Sequence, residues 1–349
     1  MKKALLKFIA TLLFCNSFAL IAQIPLGYYN SAQGLYGNNL KIALYNIIKN
    51  HNILLYNSLW TSFQKTDVKP NGKVWDIYSF KPVGAQPYEY TFVTNQCGSY
   101  NSEGDCYNRE HSWPQSWFAS ANGPNADLFH IYPTDGKVNN DRGNFPYGKV
   151  GVASLTTQNG SKLGNCISPG YSLTVFEPID EFKGDLARSY FYMCTRYYSE
   201  DATWSSSDAT NKSIILPWQL NLLMQWHQQD PVSAKEIARN DSIYKIQNNR
   251  NPFIDNPIWV NAIWAQDAGI EELYTKKLTI FPNPVNNYFE LQIANTDNCH
   301  INIYSYTGKL ITELELKGNI VYTDNLTPGL YYFIGHQGQY SFKGNFIKQ

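Results

Sequence analysis

In the run Cys106-Tyr107-Asn108-Arg109-Glu110-His111-Ser112-Trp113-Pro114 a guanidinium, a carboxylate and an imidazole stand side by side just before a turn. A second polar run follows within one supersecondary unit: Pro133-Thr134-Asp135-Gly136-Lys137-Val138-Asn139-Asn140-Asp141-Arg142-Gly143-Asn144. Together they have the makings of a small hydrolytic site. Cleaving a phosphodiester requires a water made nucleophilic, stabilisation of charge at phosphorus, and help for the departing oxygen. A neutral imidazole, His111, supplies the first near pH 7, and a hard divalent cation supplies the other two. Mg²⁺ keeps several waters and asks for only one or two protein oxygens. Glu110 and an Asn amide of the second run meet that demand.

These residues need a strand and a helix to position them. Adjacent residues of a regular strand project to opposite faces, so Glu110 and His111 can share one ion only if the strand is distorted. A local bend is expected, because Ser112-Trp113-Pro114 marks the end of extended structure. Upstream, Leu40, Ala43, Leu44, Ile47 and Ile48 fall on one helical face after Asn38 and Asn39. Val74–Tyr78 and Tyr88–Val93 have the composition of short strands, separated by Pro82, Gly84 and Pro87. Ala187, Tyr190, Phe191 and Cys194 mark one further helix, and Leu220, Leu223, Met224 and His227 another. Residues 23–270 are therefore expected to form one α+β domain, followed by a linker over 271–277. From Leu278 short alternating runs such as Ile301-Asn302-Ile303-Tyr304, punctuated by Gly308 and Pro328-Gly329, predict a small β-sandwich over 278–349.

The 349 residues are 43% hydrophobic, enough for more than one core. Met1-Lys2-Lys3 and the apolar run Ala4 to Ala22 have the form of a secretory leader over 1–22. Cys15 lies inside that run, behind a Phe14 too large for a lipidation site. No later segment reaches the roughly 20 apolar residues of a membrane span, so no stable membrane insertion is expected. Export permits disulfides among Cys97, Cys106, Cys166, Cys194 and Cys299. Cys97 and Cys106 either bridge a short loop before the Glu-His pair or remain two buried thiols. The formal net charge is zero, which argues against a strongly cationic nucleic-acid carrier but not against a nuclease, whose turnover needs only a local cationic patch. A His-Glu-x-x-His pair and clustered Cys or His ligands are absent, which excludes the common zinc-protease pattern.

Asn108 to Phe118 and Asp127 to Phe145 resemble the endonuclease I family of secreted, sugar-non-specific nucleases, as do Arg188-Ser189-Tyr190-Phe191-Tyr192-Met193 and Gln247-Asn248-Asn249-Arg250-Asn251-Pro252-Phe253. The resemblance spans about Tyr28 to Trp264. It implies an α+β fold with a ββα-metal (His-Me finger) core in mainly helical surroundings. It also implies His111 as general base, Glu110 and Asn139 as metal ligands, and Mg²⁺ as the metal, with Ca²⁺ or Mn²⁺ as substitutes. The implied substrates are DNA and RNA, cut to a 5′-phosphate and a 3′-hydroxyl by a monomeric enzyme. The chain departs from the periplasmic members in lacking the Cys-rich insertion that carries their phosphate-binding Arg. Arg142 and Arg109 are the local replacements, and Arg142 is favoured because it falls about one turn from Asn139 on the same helical face. The C-terminal region resembles a type IX secretion sorting domain, through Phe281-Pro282-Asn283-Pro284 and Leu326-Thr327-Pro328-Gly329-Leu330-Tyr331-Tyr332. That implies the type IX machinery as a partner and a secreted or surface location. The alternatives are a carbohydrate-binding or adhesive module at the C-terminus, and an inactive nucleic-acid-binding module in place of the nuclease.

Overall fold

The computed structural model describes residues 24–119, 121–265, 275–278, 280–292, 299–306, 309–316, 318–337 and 340–349. The expected leader, 1–22, and residues 271–274 of the expected linker lie outside them. Two compact units form: Lys41–Pro257 with the segment before Tyr36, and Tyr36–Leu40 with Ile258–Gln349. Among the described residues no helix is long and apolar enough to cross a membrane.

Helix α1 (Gly37–Ile48) buries Leu40, Leu44 and Ile48, one residue per turn, as the periodicity predicts. Helix α2 (Leu59–Thr66) buries Leu59 and Phe63 in the same way. The expected strands at Val74–Tyr78 and Tyr88–Val93 do not form. Only isolated bridges join Val68 to Val74 and Gln96 to Tyr107. The reason is that acidic and amide side chains take the backbone donors a sheet would use: Asp76 Oδ1 accepts from Tyr78 N at 2.7 Å, and Asn95 Oδ1 from Thr91 N at 2.7 Å.

Strand β1 (Tyr107–His111) pairs antiparallel with β2 (Ile131–Asp135), Tyr107 opposite Asp135 and His111 opposite Ile131. Helix α3 (Gly136–Arg142) starts at the next residue. Asp135 makes that abrupt change possible, its Oδ1 accepting from Val138 N at 2.9 Å as the helix cap while its Oδ2 accepts from Tyr90 Oη and Gly104 N. A Cβ on Gly136 would come within 2.6 Å of the Tyr100 ring, so the helix can open against this loop only with glycine. Cys97 and Cys106 are bridged, with Cα atoms 5.4 Å apart, which braces the lead into β1. Cys166, Cys194 and Cys299 are free and buried.

A three-stranded antiparallel sheet, β3 (Val150–Thr156), β4 (Lys162–Cys166) and β5 (Thr174–Glu177), follows. Helix α4 (Lys183–Arg196) is the axis of the unit, with all fourteen residues buried. Several of its polar side chains are satisfied internally: Ser189 meets Tyr132 Oη at 2.7 Å, Tyr192 Oη donates to Asp127 at 2.8 Å, and Arg188 forks onto Glu236. The strand pair β6 (Thr210–Asn211) and β7 (Ile214–Ile215) leads to α5 (Pro217–Gln229). Helix α6 (Ala234–Gln247) opens on a Ser233–Glu236 capping box and closes at Asn248 in the left-handed region. Arg250 is tied to Asp241 and Asp255 at 2.7 Å. It anchors the turn into α7 (Pro252–Asp255).

In the second unit, after α8 (Ile258–Trp264), the chain makes two sheets. One has the order β13 (Ile320–Tyr322), β10 (Tyr288–Leu291), β9 (Ile280–Phe281); the other has β12 (Leu310–Glu315), β11 (Cys299–Ser305), β14 (Gly329–Gln337), β15 (Tyr340–Lys348), β8 (Thr275–Lys277). They share one core that includes Phe289, Leu291, Ile301, Ile303, Phe333 and Phe346. Strand β8 already pairs with β15, so the β-rich unit begins before the expected boundary at 278.

Two stability measurements follow. Replacing Cys97 and Cys106 by Ser is expected to cost roughly 2–3 kcal/mol in denaturant unfolding, from the loop-closure entropy of a short bridge. His227 Nδ1 accepts from Arg188 Nη1 at 3.2 Å and Nε2 donates to Pro257 O at 3.0 Å. Burial, aided by the Arg188 charge, lowers its pKa from 6.5 to about 4. A depressed histidine contributes stability that is complete above pH 6.5 and lost as pH falls towards 4. His227→Gln should therefore lose less stability than wild type between pH 7 and pH 5, by on the order of 1 kcal/mol. The difference between the two proteins isolates His227 from Asp185, Asp230 and Glu236, which titrate around the same guanidinium.

Candidate active site

Strand β1 stays regular through His111, and Ser112 N still donates to His130 O at 2.9 Å. The expected bend is therefore not present. Asn108 and Glu110 engage α3, while Arg109 and His111 engage Tyr56. The expected residues thus come together on two sides of one strand.

On the α3 side Glu110 is buried, and its Oε1 accepts from Tyr78 Oη at 2.8 Å and Arg142 Nη1 at 3.0 Å. Burial pushes its carboxyl up to about 7 against the opposing pull of Arg142 and Tyr78. Arg142 is only 1% exposed and also donates to His111 O at 2.9 Å and Ser112 O at 2.6 Å. Burial alone would weaken its charge, but Tyr147, Glu110 and Tyr78 around it raise its pKa. The guanidinium thereby fastens the end of α3 to the end of β1 and does not face an opening. Asn139 is half-buried and donates from Nδ2 to Asn108 Oδ1 at 2.6 Å.

On the other side the His111 ring stacks near Tyr56 with centroids 5.8 Å apart, and packs on Phe118 at 5.8 Å and His130 at 5.5 Å. Its Nε2 lies 3.2 Å from Asn125 O. In neutral imidazole the nitrogen facing a carbonyl carries the hydrogen, which leaves the lone pair on Nδ1. Burial, then His130, lowers its pKa to about 3, so the ring is neutral at pH 7. The two sides remain one electrostatic neighbourhood: the Tyr56 phenol is raised chiefly by burial, with Arg109 pulling it down and Glu110 pushing it up.

Whether a divalent ion suits these residues depends on which oxygens are left over. Among the described residues Glu110 Oε2 and Asn139 Oδ1 accept no hydrogen bond, while the other polar atom of each side chain is held by protein. Two hard oxygens, each on an anchored side chain, fit the modest demand of Mg²⁺. Among the described residues no three His, Cys, Asp or Glu side chains are grouped to hold a metal, so any site here rests on one carboxylate and one amide. Of the other polar candidates, His130 hydrogen-bonds Pro124 O and packs on His111, and Asp135 caps α3. Sequence reasoning missed Tyr56 and Tyr78, which come from loops with no motif. It also missed Asn108, which the two-residue strand period from Glu110 places on the same face.

A neutral imidazole and two uncommitted oxygens, carried by one strand and the helix two elements later, are groups a hydrolase uses. The family model for Endonuclease I matches residues 36–258, and that for a Secretion system C-terminal sorting domain matches residues 279–349. The extracellular ribonuclease of Bacillus subtilis (strain 168) is 36% identical over 246 residues, 68% of this chain and 78% of its own. Endonuclease-1 of Buchnera aphidicola (subsp. Baizongia pistaciae, strain Bp) is 30% identical over 129 residues, 37% of this chain and 45% of its own. An extracellular deoxyribonuclease of Aeromonas hydrophila is 29% identical over 133 residues, 37% of this chain and 48% of its own. The chain belongs to the endonuclease I family. It is a nuclease that carries a type IX secretion sorting domain and is secreted or displayed at the cell surface.

The fastening of α3 can be tested apart from activity. Arg142→Leu leaves the Glu110 carboxyl buried without its cation and is expected to cost about 3–5 kcal/mol of stability. Combining it with Glu110→Gln should cost clearly less than the sum of the two single changes, read by urea unfolding.

Proposed function

We propose that this enzyme is a Mg²⁺-dependent endonuclease that cuts DNA and RNA with little sequence preference. The observation that supports the reading is the neutral His111 ring, oriented by Asn125 O, one residue along β1 from Glu110, whose Oε2 and the Asn139 Oδ1 are uncommitted on the other side of the strand. The succession of β1, β2 and α3 supports a ββα-metal arrangement, because it delivers those side chains from one strand and the helix two elements later. Glu110 and Asn139 would hold the ion, and Ca²⁺ or Mn²⁺ would suit the same oxygens. When bound, Mg²⁺ supplies the positive charge that offsets the negative charge gathering on the phosphate.

His111 Nδ1 accepts a proton from the attacking water, and Asn125 O stabilises the imidazolium so formed by holding the opposite N–H. The new P–O bond forms as the bond from phosphorus to the 3′ oxygen breaks. That oxygen leaves as the alkoxide and takes a proton from solvent water to become the 3′-hydroxyl, and the phosphate stays on the 5′ side. Water is the nucleophile, so a 2′-hydroxyl is not required, and both sugars are admissible. The names of the relatives, a ribonuclease and a deoxyribonuclease, support the same breadth. Zero net charge suits an enzyme that must release its polyanionic substrate after each cut.

Plasmid DNA and a structured RNA incubated with the full chain should both be cut with Mg²⁺, and EDTA should stop the cutting. His111→Ala is expected to lower the rate by at least about 10²-fold while the chain still unfolds in one cooperative transition. Full activity in that variant would sink the base assignment, and undiminished cleavage in EDTA would sink the metal requirement.

A further inference from the structure

We infer that Arg109 binds a backbone phosphate of the nucleic-acid substrate beside His111. This inference rests on the nuclease reading above and names the cation that the site otherwise lacks. Three cationic side chains belong to β1 and α3. Arg142 is buried and committed to Glu110 and two main-chain carbonyls. Lys137 is paired with Asp141 one turn along α3. Arg109 differs from both: among the described residues it pairs with no carboxylate, and it is half-buried.

What holds Arg109 is aromatic. Its guanidinium carbon lies 3.7 Å from the Tyr56 ring centroid and 4.5 Å from that of Trp60. Only Nη1 is engaged, donating to Tyr56 O at 3.0 Å and Asn57 Oδ1 at 3.4 Å. Among the described residues Nε and Nη2 find no hydrogen-bond partner, and neither is sealed from water. A guanidinium fixed on ring faces with its remaining donors at the surface is prepared for the bidentate geometry of phosphate oxygens. The partial loss of water around it, with no counter-charge supplied, favours an arriving anion.

Arg109 and His111 are two residues apart on one strand face, which sets their Cα atoms roughly 7 Å apart. The same Tyr56 ring touches both side chains. A phosphate placed for attack by water on His111 therefore lies within the reach of an Arg109 side chain. The competing account makes Arg109 a tie between the Tyr56–Trp60 segment and β1. The two accounts differ in what salt does to binding. A tie contributes nothing to counterion release, whereas a phosphate contact does.

The test measures the affinity of the full chain for a fluorescent single-stranded oligonucleotide in EDTA, over a series of NaCl concentrations. Arg109→Gln should weaken binding and flatten the plot of log K against log [NaCl] by about 0.7 per lost phosphate contact. Arg109→Lys should keep the wild-type slope, since it keeps the charge, and His111→Ala should keep the slope while losing Mg²⁺-dependent cleavage. Arg109→Met, whose apolar stem still covers Tyr56 and Trp60, is the parallel neutral variant if Arg109→Gln does not fold. A wild-type slope in the neutral variants overturns the proposal, even if their unfolding midpoint falls, because Arg109 is then only a tie. A wild-type chain that neither binds nor cuts any nucleic acid overturns the nuclease reading instead, and is recognisable as that because it precedes any effect of position 109.

Discussion

The site depends on one buried ion pair. Arg142, at the last turn of α3, reaches Glu110 and the carbonyls of His111 and Ser112 at once. A buried charge is costly unless it is matched, and here the two guanidinium ends of Arg142 meet Glu110 and two carbonyls while its buried Nε has no partner among the described residues. Because the guanidinium grips main chain as well as carboxylate, it sets the height of α3 along β1. Asn139, one turn earlier, is then brought against Asn108. Asp135 fixes the opposite end of the same helix. The helix is only seven residues long, too short to be stable on its own propensity, and its position is held at both ends by side chains.

This pair also explains why the two faces of β1 do different work. Glu110 and Asn108 are bound into the protein, and what they leave for an ion is one oxygen on Glu110 and one on Asn139. The opposite face carries an imidazole and a guanidinium, both held by rings. A regular strand separates the two sets, and His111 is its last residue.

Several elements were legible because local chemistry dictates them: single-face apolar periodicity in the sequences of α1, α4 and α5, and two-residue alternation in β11, whereas the aspartate cap of α3 emerged only in the fold. The class of the site was legible from Glu110, His111 and Asn139 for the same reason. The destination of Arg142 was not. Helical spacing put it near Asn139, but whether a guanidinium points inward is decided by what is buried opposite it, and that is Tyr147 just beyond the helix together with Tyr78 from a distant segment. Arg109 was underrated for a parallel reason, since its aromatic cradle comes from Tyr56 and Trp60 about fifty residues earlier. The segment from Val74 to Val93 was misjudged because β-rich composition says nothing about side chains that intercept backbone donors.

The strand over 340–348 lies between two others, β14 on one side and β8 on the other, and carries Phe342 and Phe346 into the core. A sorting signal built in this way is not a loose peptide that a receptor can thread. To draw that strand out, a receptor would have to break two ladders and expose two phenylalanines to water. A substitution that unfolds this module would therefore remove its ladders and its buried core together, even at a position far from the surface.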